Sequence, residues 1–297
     1  MSAESIQLDS PKSSFQRIAV VGPGLLGGSL ALAIRKNLPR AQIRIWARRE
    51  AVVQQLRELK FDASDNLAHV CDDAQLVILA TPIGIMADLA QRIGAEAQLA
   101  EEAYITDVGS VKGCVVQQLR PICAGFGARF VGSHPMAGSE KTGLEHARAD
   151  LFKGARCVVT PAADDMSFRA ITRIGHFWEA LGAHVKVMEP EDHDRAVARI
   201  SHLPHAAASA IVNAALDGDA SPLELSGGGF RDTTRIAAGA PEMWAEILLE
   251  NREEVSVAVN DLCHNLSELL EFLENQDQGK LVDFLRRSKE QRDRLSE

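Results

Sequence analysis

"RIAVVGPGLLGGSLALAIRKN", residues 17–37, decides the fold of this 297-residue chain. A short run of apolar, β-branched residues stops at Gly22, and an Ala/Leu-rich run of helical length starts at Leu25. Between them stands Gly22-x-Gly24-x-x-Gly27. Strand, glycine turn and helix in this order open a dinucleotide-binding βαβ unit. Gly22 permits the tight turn, Gly24 lets backbone approach a pyrophosphate, and Gly27 lets the helix pack on the strand. The helix N-terminus, at Leu25 and Leu26, then favours the phosphate charge. The alternative is a glycine turn with no ligand; the strand before it and the helix after it argue against that reading.

Outward from this stretch the same rhythm continues. Residues 42–46, 74–80, 103–108, 128–132, 155–160 and 183–187 read as further strands. Residues 50–60, 83–93 and 166–182 read as amphipathic helices, the last a crossover. This alternation predicts a parallel, doubly wound sheet over 17–188, of Rossmann type, behind a polar, disordered tail at 1–16. From Glu189 the strand signals stop, and 189–297 reads as an all-α domain. Within it, 241–276 predicts one very long helix. Its apolar positions Trp244, Leu248, Val255, Val259, Leu262, Leu266, Leu269 and Leu273 recur at spacings of three, four and seven. So long a stripe is hard to cover inside so small a domain, and part of it is expected to bury against a second copy in a homodimer; a purely intramolecular stripe is the plain alternative.

Composition narrows the function classes. The formal net charge is -9, against the clustered basic residues that nucleic-acid binding needs. No segment approaches the length of an apolar membrane span. The N-terminus resembles neither a signal nor a transit peptide. Five cysteines (Cys71, Cys114, Cys123, Cys157 and Cys263) show no CxxC spacing, which fits reduced thiols in a cytoplasm. No internal repeat is visible.

The second strand ends "IRIWARRE". An acidic residue usually holds the cofactor ribose there. That position, near Ala47, is not acidic; Arg48 and Arg49 follow it at once, and guanidinium groups suit a 2′-phosphate, so NAD(P) use leans towards NADP. Solvated surface arginines are the plain alternative. Thr81, Pro82 and Asp107, at the ends of further strands, complete the expected cofactor set.

On the substrate side, "VGSHPMAGSEKTG" (131–143) places His134 just past a strand end, where open α/β sheets bind ligands. Ser110, in "DVGSVKG", ends a neighbouring strand. An imidazole there can accept a proton near neutrality. "ISHLPHAAASA" carries His202 and His205 three apart. No matching cysteine, histidine or carboxylate pair accompanies them, so no metal is expected. One of the two should face the interdomain cleft and the other pack or cap. "SGGGFRDTTRIAAGAPEMW" offers Arg231, Asp232 and Arg235, and an arginine fork suits a carboxylate.

Taken together and in order, "VVGPGLLGGS", "TDVGSVKG", "GSHPMAGSEKTG", "SHLPHA" and "GGGFRDTTRIA…PEMW" resemble the prephenate/arogenate dehydrogenases of tyrosine biosynthesis. The resemblance runs from Arg17 through the helical region. It implies a dinucleotide-binding domain, a helical dimerisation domain and an active site between them. It implies His134 as proton acceptor, Ser110 as its hydroxyl-binding neighbour and His202 as a substrate-side histidine. It implies Arg235 as carboxylate anchor, Asp232 and Trp244 as pocket walls, and Ser139 and Glu140 as further substrate-side residues. Two other readings stand beside it. A β-hydroxyacid dehydrogenase or imine reductase of the same build would bring a lysine base, which "DHDRAVARISHLPH" lacks. A non-catalytic NAD(P)-binding redox sensor would not need Ser110, His134, His202 and Arg235 together.

Overall fold

The computed structural model describes residues 15–138, 141–160 and 167–296. The chain runs β1 (Arg17–Val21), α1 (Leu25–Asn37), β2 (Gln42–Trp46), α2 (Glu50–Glu58), β3 (Asp62–Ser64), α3 (Leu67–Cys71), β4 (Leu76–Leu79), α4 (Met86–Glu96), β5 (Tyr104–Asp107), α5 (Gly113–Gly125), β6 (Arg129–Phe130), β7 (Gly132–Pro135), β8 (Arg156–Thr160), α6 (Ser167–Ala180) and β9 (His184–Val187). Helices alone follow: α7 (Pro190–Val197), α8 (Leu203–Leu216), α9 (Gly228–Thr234), α10 (Pro241–Glu250), α11 (Arg252–Glu274) and α12 (Gln278–Asp293).

The main sheet is parallel throughout, with strand order β3-β2-β1-β4-β5-β6. Successive β1 side chains point to opposite faces. Ile18 and Val20 pack with Leu30 and Ile34 of α1, while Ala19 and Val21 pack with Val77, Leu89 and Leu119 on the other side. Both faces are covered, which is why these strands read as continuous apolar runs. The order of connection reverses between β1 and β4, and the crevice outside their C-terminal ends is where such sheets bind ligands. Among the described residues no helix is long and apolar enough to cross a membrane.

Four expectations change. The strand read at 128–132 breaks at Val131: β6 closes the main sheet, and β7 turns away to pair antiparallel with β8. β8 and β9 therefore form a separate three-stranded sheet with β7, although α6 does cross between two parallel strands. His134 thus lies within a strand and not past the end of one. A polar tail to residue 16 is also too long. Phe15 is buried, its ring edge-on to Tyr104 and Phe177; residues 1–14 lie outside the described ones.

The third change concerns the long helix, which breaks at Asn251 into α10 and α11. The apolar spacing continues across the break, so hydrophobicity alone could not reveal it. Asn251 is buried and spends its side-chain amide on the carbonyl oxygen of Asp194, at 2.9 Å. Beyond it the stripe emerges into solvent: Val255 is buried, but Leu266, Leu270 and Leu273 are more than half exposed. The fourth change is Asp107, described below.

Candidate active site

The glycine turn has the shape its sequence implies. Gly22 has φ +100°, and a Cβ there would sit 2.7 Å from the Ala80 carbonyl oxygen. A side chain at Gly27 would collide with the Gly22 carbonyl, whereas Gly24 faces open space. α1 starts at Leu25 with no side-chain cap and no acid in its first turn, leaving its amides for an anion. Beside the turn, the hydroxyl of Thr81 is buried without a hydrogen-bond partner. Pro82, next to it, is exposed. These features fit a dinucleotide pyrophosphate. β2 ends against the same turn, where Gly22 N–H donates to the Trp46 carbonyl at 3.1 Å. Arg48 and Arg49 follow, both exposed, and no acidic residue stands between Trp46 and them.

Asp107 does not join this set. Its side chain is wholly buried and its carboxylate is already occupied. Oδ1 accepts from Ser133 N–H at 3.0 Å and Oδ2 from Gly109 N–H at 2.8 Å, while Oδ2 also pairs with the buried ammonium of Lys112. Lys112 Nζ in turn donates to the Ser133 carbonyl at 3.0 Å. The end of β5 is thereby tied to β7, and Ser110 lies partly exposed in the loop so held.

His134 is buried at the seam between the sheets and the helices. Its Nδ1 lies 2.8 Å from Nε2 of His193, on α7. Nδ1 of His193 lies 2.7 Å from the Asp194 carboxylate. The same carboxylate accepts from Lys112 N–H and Gly113 N–H, both at 2.8 Å, capping α5 from the helical half. Burial is the main cause holding His134 well below the ordinary imidazole range; the charges of His193, Lys112 and His202 act in the same direction. An imidazole so held is unprotonated near pH 7, so its lone pair is available as a hydrogen-bond acceptor.

His202 ends a π-helical turn, Ala198–His202, inserted between α7 and α8. Pro204 has no N–H and would crowd the carbonyl four residues back in a regular helix; a wider turn relieves both problems. Nδ1 of His202 lies 3.2 Å from the Asn251 amide, and its Nε2 is buried with no partner. Burial foremost lowers its pKa to about 4. Its ring meets Trp244 edge-on at 6.2 Å, and His205 stacks on the same indole at 3.6 Å. His205 packs flat on Trp244, and each of the two histidines keeps one buried ring nitrogen without a partner, Nδ1 of His205 and Nε2 of His202.

Arg235 opens a 3₁₀ turn, Arg235–Ala238, that follows α9 and faces solvent. That turn leads to Gly239, where a Cβ would meet Trp244 and His205. Trp244 and His205 thus stand against the end of the segment carrying Arg235, and His202 meets the same indole. Asp232, on α9, is exposed. Ser139 and Glu140 lie outside the described residues, and among the described residues no cluster of three or more ligating side chains could hold a metal ion.

His193, Asp194, Lys112 and Asn251 were not singled out from sequence. One signal was available for two of them. The buried face of α7 is Pro190, His193, Asp194 and Val197, so titratable residues occupy slots that helical spacing reserves for apolar ones.

Comparison with known proteins identifies the family. The family profile described as "Prephenate dehydrogenase, nucleotide-binding domain" matches residues 30–187. "Prephenate dehydrogenase, dimerization domain" matches 189–287. A prephenate dehydrogenase of Bacillus subtilis is 34% identical, covering 94% of this chain and 76% of that one. A cyclohexadienyl dehydrogenase of Zymomonas mobilis is 30% identical over 94% and 95%. The crystal structure of prephenate dehydrogenase from A. aeolicus, in complex with hydroxyphenyl propionate and NAD+, superposes with a TM-score of 0.86 at 33% identity, covering 96% of this chain and all of that one. The chain belongs to the prephenate dehydrogenase family of nicotinamide-dependent oxidoreductases.

Proposed function

We propose that this chain oxidatively decarboxylates prephenate or arogenate, giving 4-hydroxyphenylpyruvate or tyrosine. The observation that carries this reading is a buried imidazole, His134, bonded to His193 of α7 at the seam of sheet and helices, in a chain whose glycine turn opens an uncapped helix. The substrate is a cyclohexadiene with a 4-hydroxyl and a ring carboxylate. His134 accepts the hydroxyl proton, and Ser110 hydrogen-bonds the same oxygen. When bound, the nicotinamide supplies the hydride acceptor. Loss of the ring carboxylate as carbon dioxide leaves its electron pair to complete the aromatic ring, a step that asks of the protein mainly positioning. Arg235 anchors a substrate carboxylate, the orphaned Nε2 of His202 faces substrate, and Asp232 and Trp244 shape the pocket. Ser139 and Glu140 complete the substrate side.

Gly22, Gly24, Leu25, Leu26, Gly27, Thr81 and Pro82 hold the cofactor. Arg48 and Arg49, exposed at the end of β2, favour NADP over NAD. The dinucleotide-binding domain ends at 188 and the helical domain begins at 189. The exposed leucines of α11, and Val282 and Leu285 of α12, form a homodimer interface, in keeping with the dimerization profile. The enzyme works in the cytoplasm. The test is a four-way rate comparison at 340 nm, two substrates by two cofactors. Turnover with NADP and either substrate is expected; no reduced cofactor in any arm overturns the reading.

A further inference from the structure

The proton order along His134, His193 and Asp194 follows from the end of the chain. Asp194 accepts from two backbone amides, which can only donate, so its carboxylate is an acceptor on both oxygens. His193 must therefore donate through Nδ1. A neutral His193 then offers its Nε2 as a lone pair, and His134 must donate through Nδ1. What remains on His134 is Nε2 as the acceptor. The reverse order would set a ring lone pair against a carboxylate.

We propose that His193 and Asp194 are positioning residues that hold His134 as its Nδ1–H tautomer, and that they do so through the carboxylate that docks the helical half on α5. This rests on His134 being the base of the proposed reaction. A solvated histidine side chain prefers the other tautomer, with its proton on Nε2, which would present a donor where the substrate hydroxyl also donates. The groups packed around the pair are Lys112, Asp107, His202 and Asn251. Lys112 and Asp107 pair with each other, while Asp194 faces His193. The carboxylate of Asp194 is thus the charge that sets the direction of the chain. When His134 becomes an imidazolium in the reaction, the Asp194 carboxylate stabilises it through the same two hydrogen bonds without taking its proton, as the buried Asp does behind the histidine of a serine-protease triad.

The full-length protein, labelled with ¹⁵N-histidine, tests this directly. Ring ¹⁵N–¹H correlation spectra, assigned with His134→Asn and His193→Phe, report which nitrogen carries each proton. The wild type is expected to place the His134 proton on Nδ1. His193→Phe keeps a ring in place but removes the acceptor; His134 should shift towards the Nε2–H form. kcat should then fall on the order of a hundredfold, with KM changed less than about threefold. His193→Gln, whose amide oxygen can accept from Nδ1–H, should recover part of that loss; recovery separates tautomer control from ring packing. Asp194→Asn should move the spectrum in the same direction as His193→Phe. An Nε2–H signal for His134 in the wild type overturns the proposal, as does an unchanged His134 signal in His193→Phe. If neither prephenate nor arogenate is oxidised, the functional reading fails while the spectra still decide the tautomer.

Discussion

Lys112 and Asp107 form an ion pair in which neither side chain has any solvent exposure, and Lys112 also holds the carbonyl of Ser133, the residue before His134. Removing one member of such a pair strands the other charge in a low-dielectric interior, which costs about 3–5 kcal/mol. Lys112→Met should therefore lower the urea midpoint sharply. Lys112→Met combined with Asp107→Leu should recover much of that loss, because both desolvated charges are gone. A Lys112→Met protein as stable as wild type would mean that Asp107 is already neutral.

His134→Asn keeps a polar side chain of smaller volume but no basic nitrogen. Turnover should fall by on the order of a hundredfold or more while KM stays close to wild type, since the imidazole acts on the proton and not on the substrate carboxylates. Steady-state kinetics with the preferred substrate checks this. Unchanged kcat would remove His134 from proton transfer.

Arg235→Gln should do the opposite. Losing a charge-assisted, two-point contact to a carboxylate raises KM by on the order of a hundredfold and alters kcat much less. If affinity survives, the anchor is another cation.

Replacing Arg48 and Arg49 together by Ala should raise KM for NADP far more than KM for NAD. The two cofactors differ only in a 2′-phosphate, and a dianion gains most from a guanidinium. Equal effects on both would reduce these arginines to surface charge.

These predictions lean unevenly on sequence. The glycine turn was legible because a strand precedes it and a helix follows; the structure leaves no room for a side chain at Gly22 or Gly27, while Gly24 faces open space. The helical half was legible from Glu189 because strand patterning stops there. His134 was legible as a residue but not as a place: a two-residue strand, β6, and a break at Val131 carry no signature in composition. The break at Asn251 was hidden for a similar reason. One polar residue in a long apolar repeat reads as a surface position, and only the partner across space, Asp194, makes it a buried one. Asp107 misled in the opposite sense. A carboxylate at a strand end suggests a ligand contact, yet its counter-charge came from Lys112, five residues on, in the very motif that flagged it.

The buried histidines predict how stability depends on pH. His202 titrates at about 4 in the folded chain against an ordinary 6.5, through burial first; Asp194 opposes the shift, and His193 and His205 add to it. Below pH 6.5 the unfolded chain binds a proton that the folded chain does not. Stability is therefore fully present above that pH and is lost as pH falls towards 4. Between pH 6.5 and 5 the loss from His202 alone is about 2 kcal/mol, at about 1.4 kcal/mol per pH unit, and His134, lowered by the same cause, adds to it. Urea titrations at pH 7 and pH 5 measure the slope, and His202→Gln should flatten it while leaving the slope due to His134. A wild-type midpoint that does not move between those two pH values, or a His202→Gln slope as steep as wild type, would mean that His202 is solvated in the folded chain.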